Sequence, residues 1–261
     1  MQQKKRDNGL MKKRRFFNLS ICAEGGNAAF ALREEEGMSI LRLENVTYSY
    51  ENKYQKNQVL KGIFAEFERG KIYALIGKSG SGKSTALNLM AGLDVPGEGE
   101  VLYEGESTRG MDRNGYRREK AAVIYQSFQL FPLLTAVENV MYPMELKGMK
   151  GKEAMEKARE YIRRVDLAEE VFDRFPNMLS GGEQQRVAIA RALAMQTKLI
   201  LADEPTGNLD TANSENIIDI LVRLAHEEDY CVIIVTHDLG LLPKMDMVYR
   251  MQDGCLQTEE R

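Results

Sequence analysis

The chain has no long apolar run. A membrane-spanning helix needs roughly 20 consecutive apolar residues, and the most hydrophobic stretches here are short, such as "CVIIV" at 231–235. No helical span of a bilayer is expected. An overall excess of positive charge is also missing, since 36 Lys and Arg stand against 39 Asp and Glu for a formal net charge of -3. Without a basic field, nucleic acid is not the expected partner. Cysteine is scarce as well: Cys22, Cys231 and Cys255 are far apart and lack metal-ligand spacing. That pattern suits free thiols in a reducing compartment, the cytoplasm, better than a disulfide framework. What is present, 43% hydrophobic and 29% charged residues over 261 positions, suits a soluble globular protein of one large domain or one domain with a subdomain.

Residues 1–37 differ in character from the rest. The first 15 carry seven basic side chains (Lys4, Lys5, Arg6, Lys12, Lys13, Arg14, Arg15) against one acid, Asp7. A signal peptide is disfavoured, because Asn18, Ser20, Glu24 and a Gly-Gly-Asn run interrupt the apolar region that follows. Two readings stand: a disordered basic extension, or an upstream start ahead of Met38, where the strand-like "SILRLENVTYSY" begins.

The stretch "IYALIGKSGSGKSTALNLMAGL" places the pattern GxxxxGK[ST] between an apolar strand and a helix-forming segment. That context makes it a phosphate-binding loop of Gly77, Lys78, Ser79, Gly80, Ser81, Gly82, Lys83, Ser84 and Thr85. The glycines Gly77, Gly80 and Gly82 let the backbone approach closely, so that successive N–H groups and the positive helix end can surround phosphate oxygens. Lys83 reaches the β- and γ-phosphates, the Ser84 hydroxyl serves Mg2+, and Thr85 bonds a phosphate nearer the sugar. A second element, "KLILADEPTGNLD", reads as a parallel strand buried on both faces that ends in two acids and a proline. Asp203 is placed to hold Mg2+, and Glu204 to polarise the water that attacks the γ-phosphorus.

The order of these motifs, with "YQSF" at Gln126, "LSGGEQQR" from Leu179, "GNLD" at Asp210 and "VTHD" at His237, resembles the ATP-binding cassette ATPases of ABC transporters. The match spans roughly residues 39–256. The resemblance implies ATP and Mg2+ as ligands, a head-to-tail pair of subunits, and a separate integral-membrane permease that holds the protein at the inner face of the cell membrane. Ser180, Gly181 and Gly182, at the start of a helix, would cap the ATP lying on the partner's loop, and Asp210 would cross the same interface. Gln126 is implied to touch Mg2+ and the attacking water, and His237 the γ-phosphate. Tyr50 is the choice for a ring stacked on adenine, with Tyr48 and Tyr54 as alternatives.

The fold implied is α/β: a P-loop core with a parallel sheet built from "IYALI", "AAVIY", "LILA" and "CVIIV", an antiparallel β layer, and an inserted helical subdomain at about 127–180 within an ATPase domain of 38–261. The charges from Glu156 to Arg164 read as a solvated helix face, and parts of "FQLFPLLTAVENVMYPM" as the contact with the permease. Short phrases such as "GLDVPGEGEV" and "DEPTGNLD" look most like the lipoprotein-release, macrolide-export and antimicrobial-peptide-resistance branch. Ala86, Tyr125 and Glu183 depart from the residues common there. The alternatives are a compact importer ATPase, a soluble ABC ATPase acting on ribosomes or DNA, and an inactive scaffold. With one cassette and Ser180 only 103 residues after Gly77, the soluble forms fit less well. The presence of Lys83, Glu204 and His237 argues against the scaffold.

Overall fold

The computed structural model describes residues 39–51 and 56–259. The basic segment 1–37, Met38, Cys22 and Tyr54 lie outside the described residues. Strands β1 (Leu41–Glu51) and β2 (Lys56–Phe67) pair antiparallel, then β3 (Ile72–Ile76) runs into the phosphate loop and α1 (Lys83–Met90) leaves it. Next come β4 (Glu98–Tyr103), the short β5 (Glu106–Ser107), α2 (Arg113–Glu119) and β6 (Ala121–Tyr125). Helices α3 (Ala136–Leu146), α4 (Gly151–Arg164) and α5 (Gly181–Ala194) then precede β7 (Leu199–Asp203). Helix α6 (Thr211–Glu228), β8 (Cys231–Thr236), β9 (Met247–Gln252) and β10 (Cys255–Glu259) follow.

The strands form two sheets, one of order β2-β1-β4-β5 and one of order β10-β9-β3-β8-β7-β6. All neighbours in the second are parallel except β9 and β10. Its central strands are buried on both faces, and the two-residue period sorts their side chains between two hydrophobic clusters. Ile72, Ala74 and Ile76 of β3 join Ile200 and Ala202 of β7 and Val232 and Ile234 of β8 beneath α3–α6. Tyr73, Leu75, Leu199, Leu201, Ile233 and Val235 point the other way, onto α1 and the antiparallel sheet. Each fully buried Ile, Leu or Val contributes roughly 1.5–3 kcal/mol, so these strand ends make a stiff platform for whatever they carry.

The helices follow from local signals. Thr135 and Glu138 form a reciprocal capping box at the start of α3. In α4 the buried residues Ala154, Ala158, Tyr161 and Ile162 share one face, and the charges around them point outward. The four helices and the parallel sheet share one continuous hydrophobic cluster. Three strands were not read from the sequence: the two-residue β5, β9, which flanks β3 on the side away from β8, and β10 beside it. The signal for the hairpin of β9 and β10 was local, an Asp253-Gly254 pair with φ of 50° and 82°, but "MVYRMQ" mixes polar and apolar residues too evenly to announce a core strand. Of the cysteines, Cys231 is a buried free thiol, whereas Cys255 is disulfide-bonded, so among the described residues the free-thiol expectation holds only for Cys231. No helix among the described residues is long and apolar enough to cross a membrane.

Candidate nucleotide site

The sheet order places four sequence-distant segments side by side. Gly77 follows β3, His237 follows β8, Asp203 and Glu204 end β7, and Gln126 follows β6. Register pairs Ile76 with Thr236, Asp203 with Val235, and Tyr125 with Asp203, so the carboxyl ends of the strands are level. The crevice beyond such strand ends is the usual ligand position in a parallel sheet.

A cleft of ≈ 410 Å³ opens there, lined by Tyr50, Asn57, Val59, Ser79, Gly80, Gly82, Lys83, Ser84, Thr85, Glu204 and His237. Gly82 caps α1 with φ of 110° and no side-chain hydrogen bond, so the first helical amides remain free for a ligand. Gly77 is at φ +153°, and a β-carbon there would come within 2.2 Å of the Met251 carbonyl oxygen. That contact explains the need for glycine, and it runs through β9. Lys83 donates to the Gly77 and Lys78 carbonyls at 2.8 and 2.9 Å, which holds its ammonium across the loop. Burial pulls its pKa below the ordinary lysine value, against the opposing pull of Glu204 and Asp203. The Ser81 hydroxyl is buried in the loop with its hydrogen-bonding capacity unspent.

Glu204 has φ of 45°, a left-handed conformation that is unusual for a non-glycine residue and concentrates at functional sites. Its N–H donates to the Val235 carbonyl at 2.9 Å, and its Oε1 lies 3.0 Å from His237 Nδ1. The neighbouring Asp203 carboxyl is pushed up by burial and by Glu204, with Lys83 acting against both. A divalent cation between these acids and phosphate would ease that strain. The oxygens of Ser84, Asp203 and Gln126 suit Mg2+, which takes hard oxygen ligands and is usually held by one or two carboxylates together with substrate phosphates.

Tyr50 is 50% exposed at the mouth of the cleft, with its hydroxyl 3.3 Å from Thr85 Oγ1. Tyr48 meets it edge-on at 5.1 Å but packs against the hydrophobic cluster and is not among the lining residues.

Ser180, Gly181, Gly182 and Asp210 do not line this cleft. Ser180 caps α5 in a reciprocal box with Glu183, whose carboxylate accepts from the Ser180 N–H at 2.7 Å and from its hydroxyl at 2.8 Å. These bonds, the backbone one foremost, hold the Glu183 carboxyl below its ordinary range. Asp210 caps α6 and accepts from the Asn213 N–H and side-chain amide, both at 2.8 Å, which lowers its pKa. Asn213 also explains Gly182, because a β-carbon there would come within 2.3 Å of Asn213 Oδ1. The two helix starts are thus interlocked on one exposed edge.

Four residues of this site escaped sequence reasoning: Asn57 and Val59 of β2, which line the cleft, and two at the glutamine corner, Gly207 and Asn208. A β-carbon on Gly207 would sit 2.6 Å from Gln126 Nε2 and 3.4 Å from Glu204 Oε2, so the side chains of Gln126 and Glu204 converge on a glycine of the "GNLD" stretch. Asn208 fastens the same corner, donating from Nδ2 to the Gln126 carbonyl at 3.1 Å. The only available signal for that corner was the small residue after "DEPT", which has no meaning until β6 and β7 are neighbours. Gly207→Ala is expected to displace the Gln126 amide and lower ATP turnover about 10-fold or more, with the unfolding temperature little changed. Wild-type phosphate release by that variant would take the amide out of the chemistry.

A parallel sheet with a glycine loop at a strand end, a lysine across the loop, and paired acids on an adjacent strand defines a P-loop nucleotide-binding protein. Residues 60–207 match the family model described as ABC transporter. The chain is 40% identical over 223 residues to the ABC transporter ATP-binding protein YclH of Bacillus subtilis, covering 85% of this chain and 98% of that protein. It is 41% identical over 223 residues to the lipoprotein-releasing system ATP-binding protein LolD of Saccharophagus degradans, covering 84% and 97%. A solved dimeric structure of the cassette MJ0796, a protein of Methanocaldococcus jannaschii, superposes with a TM-score of 0.76 at 40% identity, over 82% of this chain and 95% of that one. The same cassette has also been solved in a post-hydrolysis state with ADP and Pi. The chain belongs to the ABC transporter family, as an ATP-binding subunit with ATPase activity.

Proposed function

We propose that this subunit hydrolyses Mg-ATP within a head-to-tail homodimer and so powers a separate integral-membrane permease of the lipoprotein- or peptide-export type. The observation that carries this reading is the split of the site residues. The phosphate loop, Tyr50, Glu204 and His237 surround one cleft, while Ser180 and Asp210 are exposed on a different edge, with Gly181 half-buried and Gly182 buried beside them. A capping function for the second group therefore requires another copy, and the dimeric form of MJ0796 supports that arrangement. The export reading leans on the likeness to LolD.

In this scheme the amides from Gly80 to Thr85 and the Lys83 ammonium bind the phosphates, while the Tyr50 ring takes the base. The chemistry that Mg2+ would supply here is neutralisation of phosphate charge. Ser84, Asp203 and Gln126 are the residues that would hold the ion. Glu204 accepts a proton from the attacking water, and His237 orients that carboxylate and reaches the γ-phosphate. Hydrolysis removes the charge that holds the two copies together, and the dimer opens.

The permease contact falls on an exposed apolar group beside the glutamine loop. Phe131 and Tyr142 pack at 4.7 Å between ring centres, Leu133 is 86% exposed, and Leu146 is exposed at the end of α3. Such an exposed apolar patch suits a partner helix. The test is to tag the protein in its native cell, solubilise membranes in mild detergent and identify what co-purifies, alongside Leu133→Asp. Recovery of an export-type permease with wild type, and at least 10-fold less with Leu133→Asp, is the expected result. Recovery of an importer permease with a solute-binding protein would overturn the branch, and recovery with ribosomes or DNA alone would overturn transport.

A further inference from the structure

The glutamine loop is held in a form that its own residues disfavour. Phe128 and Gln129, directly after Gln126 and Ser127, have φ of 60° and 51°. Two successive non-glycine residues in the left-handed region need something outside the loop to keep them there. Arg191, in the last turn of α5, supplies it. Its Nη1 donates to the Gln129 carbonyl at 2.7 Å and its Nη2 to the Phe128 carbonyl at 3.1 Å. The planar fork gives each carbonyl of the strained pair its own nitrogen in a fixed geometry, which the rotatable point charge of a lysine does not impose. The guanidinium also lies 5.9 Å from the centre of the Phe131 ring, and burial pulls its pKa below the usual arginine value, the mark of a desolvated cation. At the other end of the same helix, a β-carbon on Gly181 would lie 3.7 Å from Phe128 Cζ. Helix α5 thus touches the loop at its capping end and clamps it at its far end.

We propose that Arg191 is a positioning residue: by clamping the Phe128–Gln129 turn it fixes where the Gln126 carboxamide stands, and it ties the helix of the capping motif to the reacting centre. This rests on the reading that Gln126 serves Mg2+ and the attacking water. Because neither Gln126 nor Arg191 lines the nucleotide cleft, the clamp acts on turnover and not on nucleotide affinity. Phe131, on the outer side of the guanidinium, belongs to the exposed patch at which the permease is placed, so movement of that patch reaches Gln126 through the same side chain.

The test is a two-by-two set of full-length proteins, wild type, Arg191→Lys, Gln126→Ala and the double variant, with kcat and KM for ATP measured on each. The expected result is a fall in kcat of about 10-fold for Arg191→Lys at unchanged KM, with no further fall when the same change is made in the Gln126→Ala background. Adding Gln129→Gly to Arg191→Lys, which lets one strained residue adopt its φ freely, should recover part of the lost kcat. An equal loss from Arg191→Lys in both backgrounds would overturn the proposal while leaving the role of Gln126 intact, and so would a chain that does not fold. If Gln126→Ala alone turns over at the wild-type rate, the role of the glutamine fails and the proposal falls with it.

Discussion

Glu204→Gln is expected to lower ATP turnover by roughly 100-fold or more, a loss of about 2.7 kcal/mol of transition-state stabilisation, and to leave an ATP-loaded dimer standing. The substitution keeps the length, the planar end group and the capacity to meet His237, whose Nδ1 is 3.0 Å from the carboxylate. The backbone is equally indifferent to it, since the left-handed φ of 45° and the bond to Val235 do not depend on the side chain. What disappears is the ability to take a proton from water. Lys83 and the amides at the start of α1 are untouched, so ATP should bind and the closed state should accumulate instead of decaying. Phosphate release in the steady state and size-exclusion chromatography with Mg-ATP give the two readouts. Turnover within a few-fold of wild type would end the assignment of Glu204 as base, whatever the dimer does.

Ser180→Arg is expected to abolish that ATP-dependent dimer when built on Glu204→Gln, and to cut turnover by about 100-fold on its own, while the isolated subunit still binds ATP. The reasoning is local. In the single chain the Ser180 hydroxyl is occupied with Glu183, at 2.8 Å, so the helix end presents outward its unpaired first amides and the positive end of its dipole. An arginine at this exposed cap fits the free subunit at a cost of about 1 kcal/mol for the lost cap. It does not fit between that helix end and a phosphate on a partner chain. Nucleotide affinity by fluorescence titration and mass by light scattering separate the two effects. An intact dimer, or a matching loss of ATP binding, would remove capping in trans from the scheme.

The phosphate loop was the most legible part of this chain because its function resides in consecutive backbone groups. Nine residues from Gly77 to Thr85 carry strand exit, turn and helix start together, and no distant residue is needed to recognise them. The acids at 203 and 204 were nearly as clear, since a continuous apolar run ending in charge marks a buried strand meeting a site. Tyr50 was the choice in sequence with Tyr48 and Tyr54 as alternatives; of Tyr50 and Tyr48, only Tyr50 lines the cleft mouth, with its hydroxyl against Thr85. Gly207, Asn208, Asn213 and Arg191 were illegible for a common reason. Each acts on a partner at least 30 positions away or on a neighbouring helix start, and neither residue type nor spacing reveals such a contact. The hairpin of β9 and β10 was missed despite its Asp-Gly turn, and with it the carbonyl of Met251 that explains why residue 77 has no side chain.

By itself the sequence determined the chemistry available to this protein: a cradle of amides with a lysine, a pair of acids at a strand end, and a second capped helix start of the same anion-binding kind. Those are properties of short contiguous segments, set by local backbone preference and by the period of the apolar residues. Only the tertiary structure decided which segments share a cleft. Strand order in the sheet, β3-β8-β7-β6, is not the order in the chain, and it is this crossing that sets Gly77, His237, Glu204 and Gln126 side by side while leaving Ser180 on another edge. The physical reason is that the sheet is chosen by burial of its two apolar faces, a global sum over many side chains, and the charged strand ends are carried to their places by it.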